Sequence, residues 1–452
     1  MENGVHIIGV SSCGEEVCAA AGRISTQQGT ALEIFDRSHD ADKNKRLIEK
    51  VTASGHTSTV EHLFFNLAFN NVSVVVEQFM IEFRLASFTV KSRRYVDFAD
   101  CGYLVPAFRD ASLTARYTAH MDKLFKLYAT LCEAGVPLED ARFVLPYCFY
   151  SNFFCSLGGR ELCNVLRAML FGRGKDYPEI YAIGLSLLEQ ARKAAPGVFA
   201  DFEEKNKTYT DLPDLPAFAR ESTDAPGKAV ELLACSPDAE KNVARAAQIE
   251  RYGLPTAQID ALLEDKATLK AVLDAVVKTN RPRALEAATF TVRFNNVSLS
   301  TVTHFVRHRI QSISIPQLKD CVRENYIIPA SVRENEELLN AYVAAFDETA
   351  ALYHEMQQSE REEDLVYVLL SGNVLDLVTT LNARELRLLL KLRTCTRAQW
   401  EIRQLTTDLL FLLREKCPLL FATYGPSCVC DGACPEGRMC CGRMAEMRAL
   451  FG

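Results

Sequence analysis

Arg307, His308 and Arg309 stand in a row within HFVRHRIQS, just after Leu299, Val302 and Phe305, which are apolar at helical spacing. Three cationic or protonatable groups beside a buried seam suit the binding of anions. Guanidinium forks hold phosphates and carboxylates in bidentate fashion and keep their charge at any working pH. Asn382 and Arg384 in NAREL, Arg393, and the block AQWEIR at 398–403 add further polar groups to this part of the chain. Nearer the N-terminus lie His56, Ser58, Glu61 and His62 in GHTSTVEH, Ser92, Arg94 and Tyr95 in SRRY, and Arg142 in DARFVLP. Tyr95 and Trp400 read more naturally as core packing than as ligand contacts.

The chain as a whole offers no positive field to draw an anion in. Its 452 residues carry a net charge of −7 and a pI near 5.8. That balance argues against a general nucleic-acid or membrane surface, so local arginines must do the holding. Hydrophobic residues at 48% and charged residues at 24% indicate an ordinary soluble, well-cored protein, and the length suggests two or three domains. MENGVHIIGVSS has neither the charged start nor the apolar run of a signal peptide. No apolar stretch approaches the roughly 20 residues that span a bilayer. A cytoplasmic protein without nucleic-acid or membrane partners is expected. No glycine-rich phosphate loop or Gly-x-Ser-x-Gly elbow is present, and Phe305 stands where a HExxH pair starting at His304 would need Glu.

The elements that must position these residues occur twice. FNNVS appears at 69–73 and again, 225 residues later, at 294–298. The same register pairs 5–25 with 230–250, 55–62 with 280–287, and EFRLAS (82–87) with RHRIQS (307–312). With a drift of one or two residues it also pairs YLVP (103–106) with YIIP (326–329) and LGGREL (157–162) with LNAREL (381–386). A tandem duplication is expected, with repeats at 1–224 and 225–452 joined by the linker STDAPGK at 222–228. Each half reads as a strand (5–10; 230–233), a helix, a second helix (47–51; 262–277), an alternating strand (64–75; 289–297), and later long helices (112–134; 334–358). The fold class is α/β (α+β), a small sheet with long packed helices in each half.

The polar residues divide between the copies. His56, Ser58, Glu61 and His62 face Arg281, Arg283, Glu286 and Ala287; Arg307-His308-Arg309 face Glu82-Phe83-Arg84. Ser92, Arg94 and Tyr95 face Gln317, Lys319 and Asp320, and Arg142 faces Val366. Asn382, Arg384 and Arg393 face Gly158, Arg160 and Met169, and AQWEIR has no evident match in the first copy. At each position at least one copy supplies the polar version, as a composite site drawing on both repeats requires.

These stretches resemble the flavin-dependent thymidylate synthases, over nearly the whole chain and once per half. RHRIQS, SRRY, GHTSTVEH, ARFVLP and NAREL…LR…AQWEIR carry the likeness. The family signature is an Arg-His-Arg, a Ser, an Asn-Glu pair, a Ser and an Arg-Tyr. The second half matches it at Arg307, His308, Arg309 and Ser312, the first at Arg84, Ser87, Ser92, Arg94 and Tyr95; the Asn-Glu pair is Ser314-Ile315 in one and Thr89-Val90 in the other.

The resemblance implies reductive methylation of dUMP to dTMP with FAD, methylenetetrahydrofolate as carbon donor and NADPH as reductant. It implies FAD contacts from Ser25, His56, Ser58 and Glu61 together with Arg307, His308, Arg309, Asn382 and Arg384. dUMP contacts are implied for Ser92, Arg94, Arg142, Arg307 and Arg393. Arg307 and Arg393 would be the catalytic pair, since an arginine facing the pyrimidine carbonyls stabilises negative charge as the ring is activated at C5. The flavin carries the redox chemistry, so no cysteine nucleophile is required. Family members are homotetramers, which implies a homodimer of fused chains, a pseudo-tetramer. The changed Asn-Glu positions leave two alternatives open: a flavin enzyme acting on another pyrimidine nucleotide, and a non-catalytic nucleotide-binding paralogue.

Of the 16 cysteines, ten are scattered from Cys13 to Cys395 in mostly apolar contexts and read as buried thiols. Six crowd KCPLLFATYGPSCVCDGACPEGRMCCG: Cys417, Cys428, Cys430, Cys434, Cys440 and Cys441. Short spacings with Gly and Pro between suit a tetrahedral thiolate site. A structural zinc on Cys417, Cys428, Cys434 and Cys441 is the first expectation, with Cys430 and Cys440 as rival ligands. Similar tails occur in some members of the resembled family. Free thiols or an iron–sulfur cluster are the alternatives.

Overall fold

The computed structural model describes residues 3–211, 215–216 and 228–452. Apart from Lys228, the expected linker at 222–228 lies outside them. Two compact units form, one of Met1–Glu221 and Ile328–Gly372, the other of Ser222–Ile327 and Asn373–Gly452. Each is built on a four-stranded antiparallel sheet with helices packed against it.

In the first unit β1 (Gly4–Val10), β2 (Phe64–Ser73), β3 (Ser87–Val90) and β4 (Tyr150–Gly158) lie in the order β1-β2-β4-β3. In the second, β5 (Val230–Cys235), β6 (Thr289–Ser298), β7 (Gln311–Ser314) and β8 (Val374–Asn382) repeat that order as β5-β6-β8-β7. Alternate residues of β2, such as Phe65, Leu67 and Phe69, are buried, and Phe290, Val292 and Phe294 of β6 match them. Burying such a side chain stabilises by about 1.5–3 kcal/mol, so the repeated pattern fixes the same register twice.

FNNVS closes both long strands. Asn71 and Asn296 stand at φ of 44° and 53°, a conformation asparagine tolerates better than most residues. The pairing shifts register at this point, between Phe69 and Val72 and between Phe294 and Val297, as at a β-bulge. The N–H of Asn71 donates to Asn152 Oδ1 at 3.0 Å and that of Asn296 to Asp376 Oδ1 at 2.9 Å. The bulge turns each strand into a helix, Val74–Ile81 or Leu299–Phe305.

The first unit also takes in the long helix Glu336–Met356, which packs on Ser112–Glu133. Tyr117, Met121, Tyr342 and Phe346 are buried there. Lys123 Nζ donates to Glu348 Oε1 at 2.7 Å, His120 Nε2 meets Thr349 Oγ1 at 2.7 Å, and the Tyr147 N–H donates to the Leu369 carbonyl at 2.7 Å. One expected helix, 262–277, is two: Thr256–Leu263 and Lys266–Lys278. Asp265 breaks it by accepting the Thr268 N–H at 2.9 Å and so capping the second helix.

Candidate active site

Glu401, inside AQWEIR, sets the position of the Arg-His-Arg stretch. Buried, its carboxylate accepts the Ser298 N–H at 2.7 Å, the Ser298 hydroxyl at 2.5 Å and the Thr301 hydroxyl at 2.8 Å. An anion at the first turn of helix Leu299–Phe305 satisfies N-terminal donors and favours the helix dipole. Gln399 caps the helix Trp400–Lys416 in turn, accepting from the N–H groups of Glu401 at 3.0 Å and Ile402 at 3.1 Å. The first repeat contains the same device unannounced by its sequence: Glu179 accepts the Ser73 N–H at 2.8 Å and the Ser73 hydroxyl.

Arg307-His308-Arg309 do not extend that helix. They form the turn between its end at Phe305 and β7, so consecutive side chains face opposite ways: Arg307 and Arg309 are exposed and His308 is buried. His308 Nε2 accepts Arg393 Nε at 3.1 Å, which leaves the ring proton on Nδ1, donated to Glu385 Oε1 at 3.1 Å. Arg393 also reaches the His304 carbonyl at 3.3 Å. Burial lowers the His308 pKa, opposed by Glu385 and aided by the Arg393 charge, so the ring is neutral at pH 7. Neutrality is what lets Nε2 act as acceptor and orient the guanidinium.

Asn382 accepts the Glu385 N–H at 2.9 Å and caps the helix Ala383–Arg393, which carries both Glu385 and Arg393. Arg384 is exposed and paired with Glu286 at 2.5 Å. The structure thus joins His308 and Arg393 in one hydrogen-bonded chain and assigns Asn382 to the frame behind it.

In the first unit, Ser92, Arg94 and Arg142 gather around Glu139. Arg94 Nε donates to its carboxylate at 2.7 Å and Arg142 Nε to its carbonyl at 3.1 Å, while the Arg94 N–H reaches Ser92 Oγ at 3.3 Å. Arg142 is buried. Tyr95, expected in the core, is 67% exposed, its ring 5.6 Å from the Arg94 guanidinium. His56 opens the 3-10 turn Thr57–His62, and His56, Ser58 and Glu61 are exposed on it. Ser25 ends the helix Gly14–Ile24, which packs against that turn. Glu61 holds Arg160 at 2.7 Å, as Glu286 holds Arg384 in the second repeat.

Glu385 and Glu139 are not among the candidates read from the sequence, and Glu286 stands there only as the counterpart of Glu61. Glu385 carries a like signal, since it and Glu161 are the shared glutamate of LNAREL and LGGREL.

The tail cysteines do not form the expected zinc set. Among the described residues no three His, Cys, Asp or Glu side chains are grouped to hold a metal ion. Cys417 is 4% exposed, and its thiol is pushed up to about 12, by burial first and then by neighbouring Cys235. The segment after Cys417 is a core element of the repeat. The Leu419 and Leu420 N–H groups donate to Glu240 at 2.7 and 3.0 Å, as the Val198 N–H donates to Glu15 at 2.8 Å. Cys441 instead accepts the Arg443 N–H at 3.4 Å, and the nearby Thr396 hydroxyl and that N–H lower its pKa. All 16 cysteines are unbridged; of the ten scattered ones only Cys18, Cys148, Cys155 and Cys321 are buried, Cys101, Cys132, Cys163, Cys235 and Cys395 are half-buried and Cys13 is exposed.

The family model for thymidylate synthase complementing protein matches residues 7–197 and again 231–419, so the chain is a tandem duplication of that fold. A flavin-dependent thymidylate synthase of Geobacter sulfurreducens is 34% identical over 229 residues, 49% of this chain and 97% of the relative. One of Clostridium tetani is 31% identical over 244 residues, 50% of this chain and 97% of the relative. A solved structure, the UMP/dUMP methylase PolB from Streptomyces cacaoi bound with 5-Br dUMP, aligns with a TM-score of 0.37 and 20% identity, covering 45% of this chain and 95% of that one.

Proposed function

The chain belongs to the thymidylate synthase complementing protein family, and we propose that this methyltransferase converts dUMP to dTMP by reductive methylation. Methylenetetrahydrofolate is the carbon donor, FAD the cofactor and NADPH the reductant. The repeats 1–224 and 225–452 each contribute part of the residue set, in a homodimer of fused chains. Among the described residues no helix is long and apolar enough to cross a membrane.

The observation that carries this reading is the Glu385–His308–Arg393 chain. It fixes a guanidinium by a buried neutral imidazole, and a fixed guanidinium suits the carbonyls and phosphate of a nucleotide. Arg393 and Arg307 take the catalytic role of stabilising negative charge on the pyrimidine. Ser92, Arg94 and Arg142, gathered by Glu139, bind dUMP with them. The donor set fits a flavin nucleotide: His56, Ser58, Arg307, Arg309 and Arg384 are exposed polar groups, not core fillers. Ser25, Glu61, His308 and Asn382 complete the flavin set, Asn382 through its hold on Glu385. When bound, the flavin supplies the redox chemistry.

Purified protein should be yellow, release tritium from [5-3H]dUMP, and rescue a thymidine auxotroph. The edge strands favour one second reading. Thr89-Val90 end β3 and Ser314-Ile315 lie at β7, where the family signature has Asn-Glu. Flavin-loaded protein that releases no tritium from dUMP would point to another pyrimidine nucleotide, and protein that takes up no flavin to a nucleotide-binding paralogue.

A further inference from the structure

Glu77 and Arg93 form an ion pair inside the first unit, where they are 1% and 8% exposed. The Glu77 carboxylate also accepts the hydroxyl of buried Ser151, and the Arg93 guanidinium lies 5.1 Å from the centre of the Phe149 ring. Glu77 belongs to the helix Val74–Ile81, Ser151 to β4, and Arg93 to the turn that follows β3. Taking two charges out of water is costly, and well-packed apolar side chains in the same space are often at least as stable.

The second copy makes that replacement. Val302, Leu318 and Leu375 stand at the places of Glu77, Arg93 and Ser151, and all three are buried. The strand pairing confirms the match, with Ser151 opposite Val72 and Leu375 opposite Val297. The fold therefore does not require the charges. What differs is the turn they serve. Arg93 stands between Ser92 and Arg94, both half-buried; Leu318 stands between Gln317 and Lys319. The second copy ties its turn by the backbone: buried Arg323 donates to the carbonyls of Lys319, at 2.9 Å, and Cys321. The first copy has Phe98 at that place, a side chain with no donor. There the tie from the turn to the core runs through Arg93 to Glu77.

We propose that Glu77 is a positioning residue for the nucleotide. It pins Arg93, and through Arg93 the turn that presents Ser92 and Arg94. The proposal rests on the reading of those two residues as dUMP ligands. Two observations carry it: a buried ion pair kept only in the copy whose turn bears them, and a different tie in the copy that has lost them.

The test compares the full chain with two variants. Glu77→Gln keeps the shape and loses the charge. Glu77→Val, Arg93→Leu and Ser151→Leu together copy the apolar set of the second repeat without its Arg323 tie, and should melt within about two degrees of the parent. The Tyr95 and Val96 N–H groups donate to the Ser92 carbonyl at 3.4 and 3.0 Å, so their hydrogen exchange reports the turn with no nucleotide present. Both variants should exchange there about tenfold faster. In tritium release the KM for dUMP should rise about tenfold with kcat within about twofold, as loss of a binding contact predicts. A packing role alone predicts parent exchange rates and parent KM in the apolar variant once its melt is restored. Parent exchange rates in Glu77→Gln, or a parent KM in the apolar variant, overturns the proposal. If the apolar variant does not fold, Glu77→Gln decides by both readouts. A parent protein that releases no tritium removes the dUMP assignment, and the exchange rates then decide whether Glu77 holds the turn.

Discussion

His308 donates its Nδ1 proton to Glu385 at 3.1 Å and accepts Arg393 Nε on its other nitrogen at the same distance. Glu385 therefore orients the Arg393 guanidinium through the imidazole without touching it. Glu385→Ala leaves a buried N–H unsatisfied, a cost of about 1–3 kcal/mol. The dUMP concentration for half-maximal tritium release should rise about tenfold, and Glu385→Gln, which still accepts the proton, should recover most of that loss. Equal kinetics in the alanine variant would remove Glu385 from this role.

The same ring makes the fold sensitive to acid. Burial first, then the Arg393 charge, holds the folded His308 pKa below its ordinary value near 6.5. The unfolded chain therefore binds the proton more readily. Stability is complete above pH 6.5 and falls as pH drops through that value toward the lower folded pKa. Urea denaturation at pH 7.5 and 5.5 should show the loss, and His308→Gln should flatten that part of the profile.

Glu401 and Glu179 are structural in both repeats. Charge-assisted hydrogen bonds contribute about 1.5–3 kcal/mol each, and Glu401 makes three to Ser298 and Thr301. Glu401→Ala should lower stability by about 3 kcal/mol or more and reduce activity through misplacement of the Arg-His-Arg turn. Glu179→Ala should destabilise comparably while leaving that turn in place. Thermal melts with tritium-release rates measure both.

Arg307 is exposed, so Arg307→Ala should leave the melting temperature within about one degree. Loss of one charge-assisted contact should cost tenfold to a hundredfold in flavin or dUMP affinity, at about 1.4 kcal/mol per factor of ten. Unchanged flavin occupancy together with unchanged dUMP binding would reject its assignment.

Thiol reactivity should separate the tail cysteines. Cys441, lowered by Thr396 and the Arg443 N–H, carries more thiolate than a model thiol, whereas burial pushes Cys417 up to about 12. Brief iodoacetamide treatment at pH 7.5 followed by mass spectrometry should label Cys441 first and spare Cys417.

Much of this is legible in the sequence. The register of the two FNNVS segments located the duplicated long strands, because burial of alternate residues constrains both copies alike. β3 and β7 are not legible there, because four residues carry too little periodicity. Glu179 was hidden because YPEI shares only Glu-Ile with QWEI, although both carboxylates meet the same helix start. Carboxylates beside arginines, such as Glu139 and Glu385, read as solvated charge until their partners are in place. Cys417 stood near other cysteines in sequence, but its neighbours are Cys235 and the Glu240 segment, long-range contacts that spacing does not reveal.

Ile328–Gly372, from the second copy, is built into the unit that holds the first copy's sheet. Separating the copies at the linker would strip that unit of a long helix and bare Tyr117 and Met121 to water. A fragment ending near residue 221 should be insoluble unless 328–372 is supplied alongside it. What began as duplication has become dependence: the first copy no longer completes its own fold.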